Sequence, residues 1–149
     1  MPEELSQLMD HMRWADSVVW KAVLATSGAA EDERIRQLLH HVHSVQWAYL
    51  QLFRDEPVEL PEPAEFPRLH ALRRWGEEGH AELDRFASEV GPDELGREIE
   101  FPWAERLVED LGSVHPVDVG QALLQVTSHS TAPRGQITAR IRELGGEPP

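Results

Sequence analysis

Eight histidines and no cysteine set the chemistry open to this 149-residue chain. Without thiols it has no disulfide, thiolate ligand or cysteine nucleophile, so any metal must be held by imidazole, carboxylate or water. Three histidines crowd one run, LLHHVHSVQWAYL, as His40, His41 and His43. On a helix whose apolar face centres near Val42 and Tyr49, His41 lies roughly 80° from that centre, His43 about 120° and His40 about 180°. His41 therefore sits at the edge of a buried stripe, where an imidazole can reach a neighbouring helix. His129 holds the same kind of edge position near the end of the chain. Two edge imidazoles on facing helices begin a zinc- or nickel-type site, with waters or a carboxylate completing the shell. The competing reading is a pair of ordinary, partly buried histidines.

Other patterns carry less. Glu77 and His80 have the i, i+3 spacing of carboxylate-bridged dimetal bundles, but those need a second such pair and two further glutamates. No second pair exists, so a solvated acidic face is the expectation for that stretch. Phosphate-cradling glycine loops, nucleophile elbows and zinc-protease helix motifs are all missing. Ser128, His129 and Ser130 are neighbours on a helix and point in different directions, which argues against a hydrolytic triad.

Helical periodicity supplies the elements that position these residues. Leu5, Leu8, Met9, Met12, Ala15, Val19, Ala22 and Val23 form one stripe, with Pro2 and two glutamates at its start and Gly28 at its stop. Ile35, Leu38, Leu39, Val42, Val45, Tyr49, Leu52 and Phe53 repeat the pattern from Glu31 onward. The short link predicts an antiparallel pair. Asp55 to Pro67 is acidic and proline-rich and reads as a surface crossover. A third helix is predicted from about Arg68 to Val90, with Leu69, Leu72, Leu83, Phe86 and Val90 inward and Gly91 and Pro92 as its stop. Between residues 93 and 116, Glu98 to Phe101 alternates like a short strand, and Ala104, Leu107, Val108 and Leu111 fit one or two helical turns. Asp118 and Gln121 spell a capping box for a last helix that carries Val119, Leu123, Val126, Ile137, Ile141 and Leu144 and ends at Gly145 and Gly146. The expected fold is all-α, one domain over 1–149, a four-helix bundle with one long crossover.

Lys plus Arg gives 14 and Asp plus Glu 27, hence a net charge of -13 with histidine neutral. Such a surface repels phosphate backbones and anionic lipid, so neither nucleic acid nor membrane is an expected partner. No run is apolar for the roughly 18 residues a spanning helix needs, and a cytoplasmic location is expected.

Three segments resemble the DinB-like family of small four-helix bundles, often described as metal-dependent hydrolases, and together they span nearly the whole chain. HMRWADSVVW is similar to the family's Trp-Ala-Asn/Asp signature. His41 and Gln46 match its histidine followed five residues later by an acid or amide. TSHSTAPRGQITARIRELGGEP is similar to its His, three residues, His-Arg-Gly-Gln, helical run and Leu-Gly, with Arg134, Gly135 and Gln136 matching. The resemblance implies a divalent metal, zinc or nickel, held by one histidine of the second helix and two of the last, spaced i and i+4. His41 and His129 match two of these positions; Pro133 occupies the third and Gln125 stands where many relatives have another histidine.

Proline has no lone pair for a metal, so the implied site is incomplete, and in mid-helix it should kink the chain beside His129. Two functions compete. One is a non-catalytic or ligand-binding member with packed residual histidines. The other is a metal-dependent hydrolase or thiol-dependent transferase using His41, His129 and a substitute ligand such as His43, His80, a carboxylate or water. A small-molecule substrate or thiol and a homodimer are the partners the resemblance implies. An apolar stripe exposed on the first helix, or at Trp14, Trp20 and Trp47, would instead mark an interaction module; core packing is the expectation for these tryptophans.

Overall fold

The computed structural model describes residues 1–113 and 115–149 and is mostly helical. Five helices carry the architecture: α1 (Glu3–Ala25), α2 (Glu33–Phe53), α3 (Leu69–Glu89), α6 (Val119–His129) and α7 (Thr131–Glu143). Two short helices, α4 (Pro92–Leu95) and α5 (Ala104–Leu111), and two-residue strands β1 (Glu98–Ile99) and β2 (Val117–Asp118) fill the connection between α3 and α6. Among the described residues no helix is long and apolar enough to cross a membrane.

Local signals explain the boundaries. Glu3 and Glu4 lie in the first turn of α1, where the helix dipole favours negative charge. Asp32 caps α2 by accepting the Ile35 amide at 3.0 Å, so this helix starts two residues after the expected Glu31. Strand β1 pairs antiparallel with β2, Glu98 opposite Asp118 and Ile99 opposite Val117. It stops short of Phe101 because the Phe101 carbonyl accepts the Ala104 amide at 2.9 Å and turns the chain into α5. The capping box at α6 is complete: Asp118 accepts the Gln121 amide at 2.7 Å and Gln121 accepts the Asp118 amide at 3.2 Å.

The single last helix expected from the pattern is divided at Ser130 into α6 and α7. Pro133 supplies the reason, since it has no amide to bond the His129 carbonyl. Helical bonding resumes at once, with the Arg134 amide on the Ser130 carbonyl at 3.0 Å.

Apolar residues gather in two clusters. One joins Leu5, Met9 and Met12 of α1 to Tyr49 and Phe53 of α2, Leu83 of α3 and Leu123 of α6. The other joins Val19 and Val23 of α1 to Ile35 and Leu39 of α2, Leu72 of α3 and Ile137 of α7. The C-terminal halves of α2 and α3 share one cluster and their N-terminal halves the other, so these two helices run in the same direction. By the same reasoning α1 runs antiparallel to α2.

These antiparallel helices are nevertheless not the close neighbours that the short link suggests. Close backbone approaches join α1 to α3, α6 and α7, and α2 to the same three. Helices α1 and α2 therefore face each other across the core and meet through side chains. What makes α3 the closer neighbour of α2 is glycine: a Cβ at Gly76 would lie 2.5 Å from the His43 ring, and one at Gly79 2.8 Å from Trp47 Nε1. Gly76→Ala must push the two helices apart, an overpacking cost of about 1–3 kcal/mol despite alanine's better helix propensity. Urea unfolding measures it; an unchanged or raised midpoint would mean that the α2–α3 contact yields without cost.

Candidate functional site

Between the two apolar clusters lies a layer of buried polar side chains drawn from α1, α2, α3 and the α6–α7 junction. Asp16 on α1 is only 3% exposed, flanked one turn away on either side by the core residues Met12 and Val19. Its Oδ1 accepts from Arg134 Nη1 at 2.7 Å, and its Oδ2 accepts from Gln46 Nε2 at 2.6 Å and meets His80 Nε2 at 3.1 Å. Gln46 Nε2 also reaches Ser130 Oγ at 3.5 Å, while its Oε1 lies 2.9 Å from His43 Nδ1. Trp20 Nε1 donates to His43 Nε2 at 2.9 Å.

Donor and acceptor roles follow from the ends of this chain. An indole N–H only donates, so His43 Nε2 carries the lone pair and its proton sits on Nδ1, donating to Gln46 Oε1. The Gln46 amide then donates to Asp16, and every partner is satisfied. Burial, first, and the nearby His80 hold the His43 pKa at about 4, against the opposing pull of Asp16 and Gln46. Burial works against ionisation of Asp16, but the hydrogen bond and charge of His80 and the Arg134 bond outweigh it, and its pKa is lowered.

Asp16, His43 and His80 also form the one group of three potential metal ligands among the described residues, each offering an atom within 4.8 Å of the others. The group opens on a cleft of about 300 Å³ between α1 and α3, lined by His43, His80, Trp20 and Arg13 together with Glu77. Both arginines on this cleft are paired, Arg13 with Asp84 and Arg73 with Glu77.

The histidines singled out from the sequence lie elsewhere. His41 on α2 and His129 on α6 do meet, with ring centroids 5.1 Å apart. They stand at one end of a cavity of about 440 Å³ otherwise walled by Val45, Ala48, Tyr49, Val58, Leu60 and Trp103, with Ser44 and Gln125 as further polar groups. Burial, first, and a neighbouring histidine lower both pKa values, His40 acting on His41 and His41 on His129. Both imidazoles are therefore neutral at pH 7. His129 Nδ1 is buried without a hydrogen-bond partner. Burial raises the Tyr49 hydroxyl to about 12, so it stays protonated.

A three-histidine metal site does not fit this end. Pro133 is buried and offers no donor, and among the described residues no carboxylate lines the cavity. Of the substitutes considered from sequence, His43 and His80 belong to the polar layer and are not among the residues that line this cavity. His43 is the larger correction: at 1% exposure it is the most buried of the three clustered histidines, whereas His41 is exposed. The angular reading assumed one buried face, but α2 packs on α3 as well as on α6 and α7, so its buried arc is wide. His80 likewise leaves the expected solvated face of α3, where Glu77 remains exposed.

Asp16 went unassigned as a site residue and His80 was offered only as a substitute ligand for His41 and His129, although Asp16 left a signal. It occupies the heptad-like stripe Met9, Met12, Asp16, Val19, Val23, and a carboxylate in such a stripe must find a buried partner. Trp20 is buried as expected of a core tryptophan, but Trp14 is 61% exposed. Comparison with protein-family models gives no match, and no curated protein matches the sequence.

Proposed function

We propose that the chain is a DinB-like four-helix bundle that holds a small, largely apolar molecule between α2 and α6, its three-histidine metal site reduced to His41 and His129. In this reading α6 and α7 together are the fourth helix, and residues 54–68 are the long crossover that parallel α2 and α3 require. The three segments that carry the resemblance contribute Asp16, Gln46 and Arg134 to one hydrogen-bonded layer, which supports the assignment.

The observation that carries the function is the α2–α6 cavity: mostly apolar walls, and two neutral imidazoles converging at one end without a third ligand among the described residues. Concave, apolar sites with a few converging polar groups are the usual form of small-molecule pockets. Trp103 and Tyr49 supply aromatic wall, and His41, His129, Ser44 and Gln125 supply the polar groups for a ligand's polar head. The neutral fluorophore N-phenyl-1-naphthylamine is expected to bind with micromolar affinity, and Leu60→Glu at the cavity wall to weaken it at least tenfold. Equal binding by both proteins would place the ligand elsewhere.

The unpartnered His129 Nδ1 favours the second reading, a metal-dependent hydrolase or thiol transferase in which water or an external thiol supplies the missing ligand. Pro133→His tests the carried-over geometry. Histidine restores the amide that proline lacks and an i, i+4 pair with His129. Zinc affinity in calorimetric titration should rise at least tenfold over the parent and fall back when His41→Ala is added. Equal affinity would show that position 133 does not face the site, whereas tight zinc binding by the parent protein that is lost in His41→Ala would favour the enzyme.

A homodimer completes the proposal. Leu8 and Trp14 of α1 and Leu124 of α6, all exposed, lie on helices that pack together. Sedimentation showing only monomer at tens of micromolar, roughly the range of a stable complex, would remove the dimer.

A further inference from the structure

We infer that Asp16, His43 and His80 form a second, separate divalent-metal site, of the two-histidine, one-carboxylate type, facing the cleft between α1 and α3. The three ligands come from three helices and offer atoms within 4.8 Å of one another. Two imidazoles and a carboxylate are the donor set of open zinc and non-haem iron(II) sites, which leave coordination positions for water or substrate. Here those positions would open on the cleft lined by His43 and His80.

Proton positions decide whether the site can form, because the same atoms are joined by hydrogen bonds in the metal-free layer. Asp16 Oδ2 has two acceptor directions, one taken by the Gln46 amide and the other by His80 Nε2. A cation that replaces the His80 proton leaves the Gln46 bond intact and requires only that His80 carry its proton on Nδ1, its other ring nitrogen. His80 Nε2 and Asp16 Oδ2, 3.1 Å apart, are already close to the separation of two ligands on one small cation. With bonds of about 2.1 Å at a tetrahedral angle, that separation is roughly 3.4 Å.

His43 is the costlier ligand. Its Nε2 lone pair must be released by Trp20, leaving a buried indole N–H without a partner. Three ligand bonds to one cation are set against that single hydrogen bond, and metal binding is coupled to folding. Arg134, on the other oxygen of Asp16, and Gln46 then act as outer partners that hold the carboxylate in place.

Cobalt(II) titration of the full chain, purified without a His-tag and stripped with chelator, tests this. The expected result is one saturable cobalt per chain, with visible absorption from low-symmetry nitrogen and oxygen coordination and quenching of tryptophan fluorescence through Trp20. Affinity should fall at least tenfold in His80→Ala and in Asp16→Asn, and stay within threefold of the parent in His41→Ala and His129→Ala. His80 reaches the surface, so His80→Ala is the variant expected to fold, with its helicity checked by circular dichroism. Three results would each overturn the site: no saturable cobalt, binding retained in His80→Ala, or binding lost only in the His41 and His129 variants. The last of these would favour metal in the α2–α6 cavity instead. Fluorophore binding there is scored separately, so either reading can fail alone.

Discussion

Asp16→Ala is expected to lower the unfolding free energy by about 3–5 kcal/mol, the cost of leaving a buried charge without its partner. The arithmetic rests on what remains. Arg134, whose side chain is 11% exposed, would lose the carboxylate 2.7 Å from its Nη1, and Gln46 and His80 would each lose an acceptor. For a chain of this size each kcal/mol moves the melting temperature by roughly 2–4 °C, so a drop of about 10 °C is expected. A double variant separates charge from packing. Adding Arg134→Met to Asp16→Ala removes the unpaired guanidinium, and the double variant should be more stable than Asp16→Ala alone. A loss below about 1 kcal/mol, the range of exposed ion pairs, would mean that water reaches the layer and that it does not hold the helices in register.

That layer also shows where sequence reading reached and where it stopped. Periodicity placed the long helices because each buries a stripe against its neighbours, and the Asp118–Gln121 pair marked the start of α6 because both of its hydrogen bonds are local. A kink beside His129 was legible as well, since proline's missing amide acts on its own helix, although the full division at Ser130 was not. Partner choice was not. Whether α1 packs beside α2 or across from it depends on Gly76 and Gly79 letting α3 approach α2, and a glycine in a helical pattern does not say which neighbour comes close.

The site divides along the same line. His41 and His129 were found because an edge imidazole on each helix is a one-dimensional signal, and the fold does bring them together. His43 and His80 were offered only as substitute ligands for that pair, because their actual partners come from distant parts of the chain: Trp20 and Asp16 of α1, with Arg134 of α7 on the same carboxylate. A reading confined to one helix at a time cannot supply the second buried face that α2 turns toward α1 and α3.

Acid should destabilise this protein well above the ordinary carboxylate range, and His43 is the reason. In the native state its Nε2 is covered by the Trp20 N–H, so a second ring proton would set two donors against each other. Burial is the main cause of a pKa near 4, with His80 on α3 and, more weakly, His40 on α2 adding to it, and with Asp16 on α1 and Gln46 on α2 opposing it. In the unfolded chain the same ring takes up its proton near 6.5. The unfolded state therefore binds more protons between these values, and stability rises with pH across that interval. His43 contributes its full stabilisation above about pH 6.5 and loses it as the pH falls toward 4, a loss of roughly 3 kcal/mol at 1.36 kcal/mol per pH unit. His41 and His129 act in the same direction but less, being partly exposed. Asp16 extends the decline below its unfolded value, because its native pKa is lowered. Urea unfolding of chelator-treated protein from pH 8 to pH 4 gives the profile. His43→Gln keeps a polar side chain in the layer but removes the titrating ring, and its profile should be shallower by up to one proton, about 1.4 kcal/mol per pH unit. Identical slopes in the two proteins would show that His43 charges inside the folded state, which the hydrogen-bond chain from Trp20 to Asp16 does not permit.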